Sequence, residues 1–244
     1  MMKRTLSAIF VAMAFGAPAF AGTTAVVQGG YYTPNLVNDL TAAGQTVTTI
    51  SNYTAASLEA YSAVVMYGNT YTDTVALQNY VQNGGTLILT PWSGLNFGVP
   101  AALQTFQNGG SPDFGSSNPA VTVADAGNPL LAHVSLPDAG TTTIGRINNI
   151  GVAVGAHDVA DWADGTAFIA TVNDGLGEVI GINMQVITSD SSPGVIDQAW
   201  ATQLFVNAVD SRAAVPEPAS MALLGAGLFG VGMIRRRKAA GSLR

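Results

Sequence analysis

The chain has 244 residues, 48% of them hydrophobic, with no cysteine and 9 basic against 15 acidic side chains. Without cysteine there is no disulfide, no thiolate nucleophile and no thiolate metal site. Lys3, Arg4, Arg235, Arg236, Arg237, Lys238 and Arg244 sit near the two ends, so residues 22–218 hold only Arg146 and Arg212 against all 15 acidic residues, a formal charge of −13 that repels phosphate backbones and argues against nucleic-acid binding.

Lys3 and Arg4 precede an apolar run over residues 6–15, and small residues at Ala19 and Ala21 flank Phe20. This is the layout of a secretory signal peptide, residues 1–21, read by the general secretion machinery and cut by signal peptidase after Ala21. Residues 22–212 then form one body, large enough to bury close to roughly 70% of its unfolded surface. TAVVQ (24–28), ended by Gly29-Gly30, predicts a buried strand. Thr33-Pro34 opens a helix through Leu36, Val37 and Leu40 that stops at Gly44. TVTTI (46–50) and AVVMY (63–67) predict further strands. Residues 74–83 place Val75, Leu77, Tyr80 and Val81 near one helical face and end at Gly84-Gly85, before the strand TLILT (86–90). Strands alternating with helices imply parallel pairing in a layered α/β fold.

The later half is less regular. Residues 98–118 are rich in Gly, Ser, Asn and Pro and predict a surface loop with little regular structure. AVTVA (120–124), GVAVG (151–155), AFIATV (167–172) and EVIGINM (178–184) predict strands, the last two joined as a hairpin through VNDGLGEV. A closing helix over residues 196–209 carries Ala199, Trp200, Leu204, Phe205 and Ala208 near one face, with Asp197 in its first turn.

Residues 213–244 read as a separate segment. The apolar run 221–234 has 14 residues, against the roughly 20 that a ~30 Å hydrocarbon core requires. Arg235, Arg236, Arg237 and Lys238 follow it directly, and the positive-inside rule keeps them cytoplasmic while the body faces outward. Val215-Pro216-Glu217-Pro218, a small-residue apolar stretch and a terminal Arg cluster together resemble the PEP-CTERM sorting signal of Gram-negative bacteria that make extracellular polysaccharide. That resemblance implies transient anchoring in the inner membrane, cleavage by an exosortase near Pro-Glu-Pro, and delivery to the cell surface or the extracellular space. A plain C-terminal membrane anchor uses the same physics and differs only in keeping the tail.

The body resembles the class I glutamine-amidotransferase-like, or trehalose-utilisation-like, domains. The likeness rests on AVVMYGNTYTDTVALQNYVQNGGTLILTPW, NPLLAHV, FIATVNDGLGEVIGINM and QLFVNAVD. It implies a flavodoxin-like three-layer sandwich with a mixed, mainly parallel sheet. The amidotransferase nucleophile is a cysteine in the turn after the strand matching residues 86–90; here that turn is Pro91-Trp92-Ser93-Gly94. Ser93 lacks the preceding glycine of a nucleophile elbow and has no evident base. The histidines are His133 and His157, and His157 leads an acidic run with Asp158, Asp161 and Asp164. Their D-x-x-D-x-x-D spacing is not that of a calcium loop, and a solvated acidic loop at a strand end is the expected state. Asp113, Asp125 and Asp138 lie among turn residues. No cofactor and no metal are expected.

Ligands of this fold collect beyond the C-terminal ends of parallel strands. Tyr31 and Tyr32 follow the first strand, Asn69 and Tyr71 the third and Trp92 the fourth, so aromatic faces and polar donors converge at one rim in a form suited to a neutral sugar. Three functions fit these residues: a noncatalytic surface or matrix protein associated with extracellular polysaccharide, a carbohydrate-binding module at the Tyr31, Tyr71 and Trp92 rim, and a hydrolase using Ser93 or an acidic pair.

Overall fold

The computed structural model describes residues 22–29, 34–68, 73–90, 99–107, 110–141, 143–185 and 198–211. All of them belong to one compact unit, Pro18–Ala214.

The centre is an eight-stranded sheet in the order β2-β1-β3-β4-β10-β9-β8-β6. Strands β1 (Thr23–Gly29), β2 (Thr46–Ile50), β3 (Ala63–Gly68), β4 (Thr86–Thr90) and β10 (Gly177–Ile182) pair in parallel. Strands β9 (Ala167–Asp174), β8 (His157–Trp162) and β6 (Val121–Val123) extend the sheet in antiparallel fashion. The mixed, mainly parallel sheet expected from the sequence is the one observed.

Residue alternation along each inner strand splits the core into two apolar layers. On one face Val26, Val65, Ile88 and Ile180 meet Leu36 and Leu40 of helix α1 (Pro34–Ala42) and Ala201, Leu204, Phe205 and Ala208 of helix α4 (Ala199–Asp210). On the other, Val27, Val64, Met66, Leu87, Leu89 and Val179 meet Leu58 of the short helix α2 (Ala55–Leu58) and Leu77, Tyr80 and Val81 of helix α3 (Thr74–Gln82). The result is a three-layer sandwich.

The ends of α1 and α3 fall where the sequence placed them, for local reasons, whereas α4 begins at Ala199 rather than at residue 196, and Asp197 lies outside the described residues. Past α3, Gly84 adopts φ +104° and its N–H reaches the Val81 carbonyl (2.9 Å), while the Gly85 N–H reaches that of Tyr80 (3.0 Å). These two bonds satisfy carbonyls the helix leaves open. A Cβ on Gly85 would stand 2.2 Å from the Tyr80 ring, so no other residue fits there. The same pair of bonds closes α1, from Gly44 to Thr41 and from Gln45 to Leu40, with Gly44 at φ +91°. The β9–β10 hairpin turns at Gly175-Leu176, Gly175 having φ +67°.

The second half departs from the sequence reading in three places. Residues 98–118 are not a featureless loop. They contain a 3₁₀ turn, Ala101–Leu103, and strand β5 (Pro112–Ser117), which pairs antiparallel with β7 (Thr143–Ile147) in a small second sheet. The composition of PDFGSS disfavours a strand, and a partner some 30 residues away imposes it. GVAVG makes only an isolated bridge, Phe106↔Val152, and Val154 is fully exposed: its alternation finds no continuous neighbour. The acidic run from His157 is strand β8, with Val159, Ala160 and Trp162 buried between its aspartates.

Asn183 joins the two sheets. Fully buried, its Oδ1 accepts from the Ile147 N–H (2.9 Å), and its Nδ2 donates to the carbonyls of Ile147 (2.9 Å) and Ala167 (2.8 Å). One side chain thus satisfies three backbone groups that would otherwise be stranded away from water. Asn183→Ala is expected to lower unfolding free energy by about 3 kcal/mol, read as a lower urea midpoint with the slope of the transition unchanged.

Candidate functional site

The site is defined first by where strands stop. β1 and β3 end in register at Gly29↔Gly68, Tyr67 pairs with Thr90 at the end of β4, and β10 runs alongside through Gly181↔Leu89. From β1 the chain crosses through α1 to β2 on one side, while β3 lies on the other. This reversal is the switch point at which open α/β sheets bind ligands. Neighbouring strands lie about 4.8 Å apart, so residues 30, 69 and 91 are attached to chain ends within about 10 Å of one another. The sheet therefore brings together the attachment points of the three segments that carry Tyr31, Tyr32, Asn69, Tyr71, Trp92 and Ser93. Those residues themselves lie outside the described residues, as do Val215, Pro216, Glu217, Pro218, Arg235, Arg236, Arg237 and Lys238.

The floor below these ends is tightly organised. Thr90, fully buried, donates from Oγ1 to the Met66 carbonyl (3.1 Å), locking the last residue of β4 to β3 two residues before that strand ends. Asp73 caps α3 by accepting from the Ala76 N–H (2.9 Å), and its own N–H donates to the hydroxyl of buried Tyr53 (3.4 Å).

On the antiparallel half of the same edge lies a cluster the sequence reading did not identify. Arg146 of β7 is buried, bonds Asp164 in the β8–β9 turn, and stands 5.7 Å from the centre of the Trp162 ring. Trp162 stacks on Phe168 (4.1 Å between centroids), which meets Trp200 edge-on (6.4 Å). Burial pushes the Asp164 carboxyl up, but hydrogen bonds from Arg146 and Thr166 outweigh it and hold the group below the usual carboxylate range. A guanidinium over an indole, tied to a carboxylate, fixes the small sheet to the large one. One signal in the sequence pointed to it: Arg146 is the sole basic residue between Arg4 and Arg212, and a lone cation in so acidic a body calls for a dedicated partner.

The acidic run does not converge on a metal. His157 bonds Asp125 (2.9 Å) at the edge opposite the parallel-strand ends, and this bond, with that from Asn128, holds Asp125 below its ordinary range. Asp164 is committed to Arg146. Asp125 also accepts from the Gly127 N–H (3.2 Å), and Asp113 from Asn148 (3.1 Å), while the Asp138 carbonyl accepts from Asn118 (2.8 Å) and Thr141 (2.7 Å). His133 is exposed, at φ +60°, after the 3₁₀ turn Pro129–Leu131. Among the described residues no three His, Asp or Glu side chains gather as a metal site.

Asp158 and Asp161 form a separate pair. Three residues apart, they would face opposite ways in a regular strand, but register shifts on both sides of Ala160 bring their carboxyls together. Burial, then the charge of Asp158 and its hydrogen bond, push Asp161 up to about 6.

Comparison with known proteins supports both halves of the chain's reading. Residues 214–238 match the PEP-CTERM protein-sorting motif. The structure is similar to a ThuA-like protein from Parabacteroides merdae, 12% identical over 79% of this chain and 89% of that one, with a TM-score of 0.58. It is also similar to a cytoplasmic protein from Salmonella typhimurium, 12% identical over 78% of this chain and 98% of that one, with a TM-score of 0.57. A β-galactosidase from Rahnella sp. R3 shares the fold over 81% of this chain and 32% of its own, at 17% identity and a TM-score of 0.55. No curated protein matches the chain. At these identities the likeness establishes the fold: the class I glutamine-amidotransferase-like, flavodoxin-like arrangement. Among the described residues no helix is long and apolar enough to cross a membrane, and residues 221–234 lie outside them.

The carboxyl pair sets a pH dependence. Asp161 holds its proton more tightly folded than unfolded, so the stability it contributes is complete below pH 3.8 and is lost as pH rises through about 6. Asp161→Asn removes the cost of burying a charged carboxylate together with its repulsion from Asp158. Discounted for partial exposure, the gain is about 1 kcal/mol, or ~2–4 °C in melting temperature. It is expected at pH 8 and absent at pH 4, as measured by thermal melts at the two values.

Proposed function

We propose that this chain is an exported, noncatalytic cell-surface or extracellular-matrix protein, trimmed by an exosortase at its C-terminus and associated with extracellular polysaccharide. The observation that carries the reading is the sorting motif at residues 214–238, placed behind an acidic body and an N-terminal stretch that reads as a signal peptide. The motif supports export and exosortase-dependent sorting. Association with polysaccharide and the absence of catalysis are the further steps. For the first, a domain of formal charge −13 favours neutral glycans or cation-bridged polymers over anionic partners. For the second, the fold's usual nucleophile is missing with cysteine, and His157 is engaged with Asp125 at the far edge of the sheet.

A second reading, a dedicated sugar site, is favoured by the in-register ends of β1, β3 and β4 beneath the segments bearing Tyr31, Tyr32, Asn69, Tyr71 and Trp92. Aromatic faces stack on sugar C–H surfaces while the Asn amide and Tyr hydroxyls meet the sugar hydroxyls.

The two readings separate in one experiment on mature protein recovered from the cells. Under both, the protein co-sediments with the extracellular polymer and turns over no ester, amide or glycoside substrate. Trp92→Ala abolishes binding on a glycan array if the rim is the site and leaves co-sedimentation unchanged if it is not. Turnover that disappears in Ser93→Ala would overturn the noncatalytic assignment.

A further inference from the structure

We infer that Arg146 and Trp162 form a subsite for the hydroxyl edge of a neutral sugar, because each presents a buried hydrogen-bond donor that the fold leaves without an acceptor. The inference rests on the polysaccharide reading above and deepens it, through residues that are not among those of the proposed Tyr31 to Trp92 rim.

The subsite is built where β7 lies against the end of β10. The Gln185 N–H donates to the Gly145 carbonyl (2.6 Å), and the Asn183 amide brackets Ile147. Arg146 is held between these two anchors. Its Nη2 bonds Asp164 Oδ2, while Asp164 Oδ1 accepts from the Thr166 N–H (3.0 Å). The other terminal nitrogen of Arg146, Nη1, is buried, as is the Nε1–H of Trp162, and neither has a partner among the described residues. The guanidinium carbon stands 5.7 Å from the indole ring centre, and the stack of Trp162 on Phe168 (4.1 Å) fixes the direction of that N–H.

A buried donor without an acceptor is a costly defect, and buried polar groups are nearly always paired. Two such donors on neighbouring groups, one held by an ion pair and the other by ring stacking, point to an acceptor from outside the chain. Its charge follows from the surroundings. Asp164 already neutralises Arg146 in a body of formal charge −13, so a second anion would compete for one guanidinium against the field of the whole domain. A neutral oxygen would not. A hydroxyl fits best, since it accepts from a guanidinium or indole N–H and passes its own hydrogen to a carboxylate such as Asp164. Adjacent hydroxyls on one sugar ring match donors on two adjacent side chains. Exposure falls from 41% at Asp164 to 8% at Arg146 and none at Trp162, so the ligand enters past the carboxylate and places only its edge inside.

The test is titration of the purified, isotope-labelled protein with glucose, galactose and mannose in turn, and with glucuronate, followed through the indole N–H resonances of Trp92, Trp162 and Trp200. Trp162→Phe identifies the Trp162 resonance. We expect at least one neutral sugar to move that resonance saturably, and glucuronate to bind more weakly than that sugar. Arg146→Lys keeps a cation beside Asp164 but withdraws Nη1, and is expected to weaken binding by about tenfold, the worth of one hydrogen bond. Calorimetry on Trp162→Phe, which keeps the ring stack without the N–H, is expected to show a similar loss. No shift with any of the neutral sugars overturns the inference, the donors then holding water alone. Unaltered affinity in both variants, or glucuronate binding tightest, overturns it equally. Wild-type co-sedimentation with the extracellular polymer in any of those cases leaves the polysaccharide reading standing, whereas its failure removes both.

Discussion

The fold follows from burying four parallel strands, β1, β3, β4 and β10, on both faces at once, with β2 as a largely exposed edge. A parallel sheet covered by helices on each side must send all its strand ends to one edge. Here Gly29, Gly68 and Thr90 reach that edge side by side, with β10 beside them. The apolar sets Val26, Val65, Ile88 and Ile180 on one face and Val27, Val64, Leu87 and Val179 on the other fix the register, since a slip of one residue would exchange the two faces. Packing therefore determines which segments of sequence share a rim, before any ligand is considered.

In the antiparallel half polar contacts add to apolar packing. Ile147 of β7 packs with Phe106, Ile150, Ala167 and Ala170, and Asn183, Arg146 and Asp164 tie β7 to the large sheet. Burying Arg146 withdraws the one cation of the described body and leaves a surface dominated by carboxylates. The Asp158–Asp161 pair reflects how crowded that negative charge is.

What could be read in the sequence was whatever local chemistry decides. Gly44 and the Gly84-Gly85 pair end helices because backbone geometry there requires glycine, and Gly175 closes a hairpin for the same reason. β5 and β7 escaped because their pairing is nonlocal, PDFGSS becoming a strand only beside TIGRI; β8 pairs with neighbouring β9 and escaped because its two aspartates conceal the buried Val159, Ala160 and Trp162. GVAVG erred the other way, with alternation but no continuous neighbour. Of the proposed rim, the sequence order of strands was enough to place the attachment points together. Its side chains, Tyr31 to Trp92, belong to segments that strand pairing does not determine.

The two ends of the chain read as addresses and the acidic domain between them as the cargo. The intact mass of the protein recovered from cells tests it most directly. The expected species begins at Gly22 and ends near Pro218. A species that still begins at Met1, or that keeps Arg235 through Lys238, would contradict it.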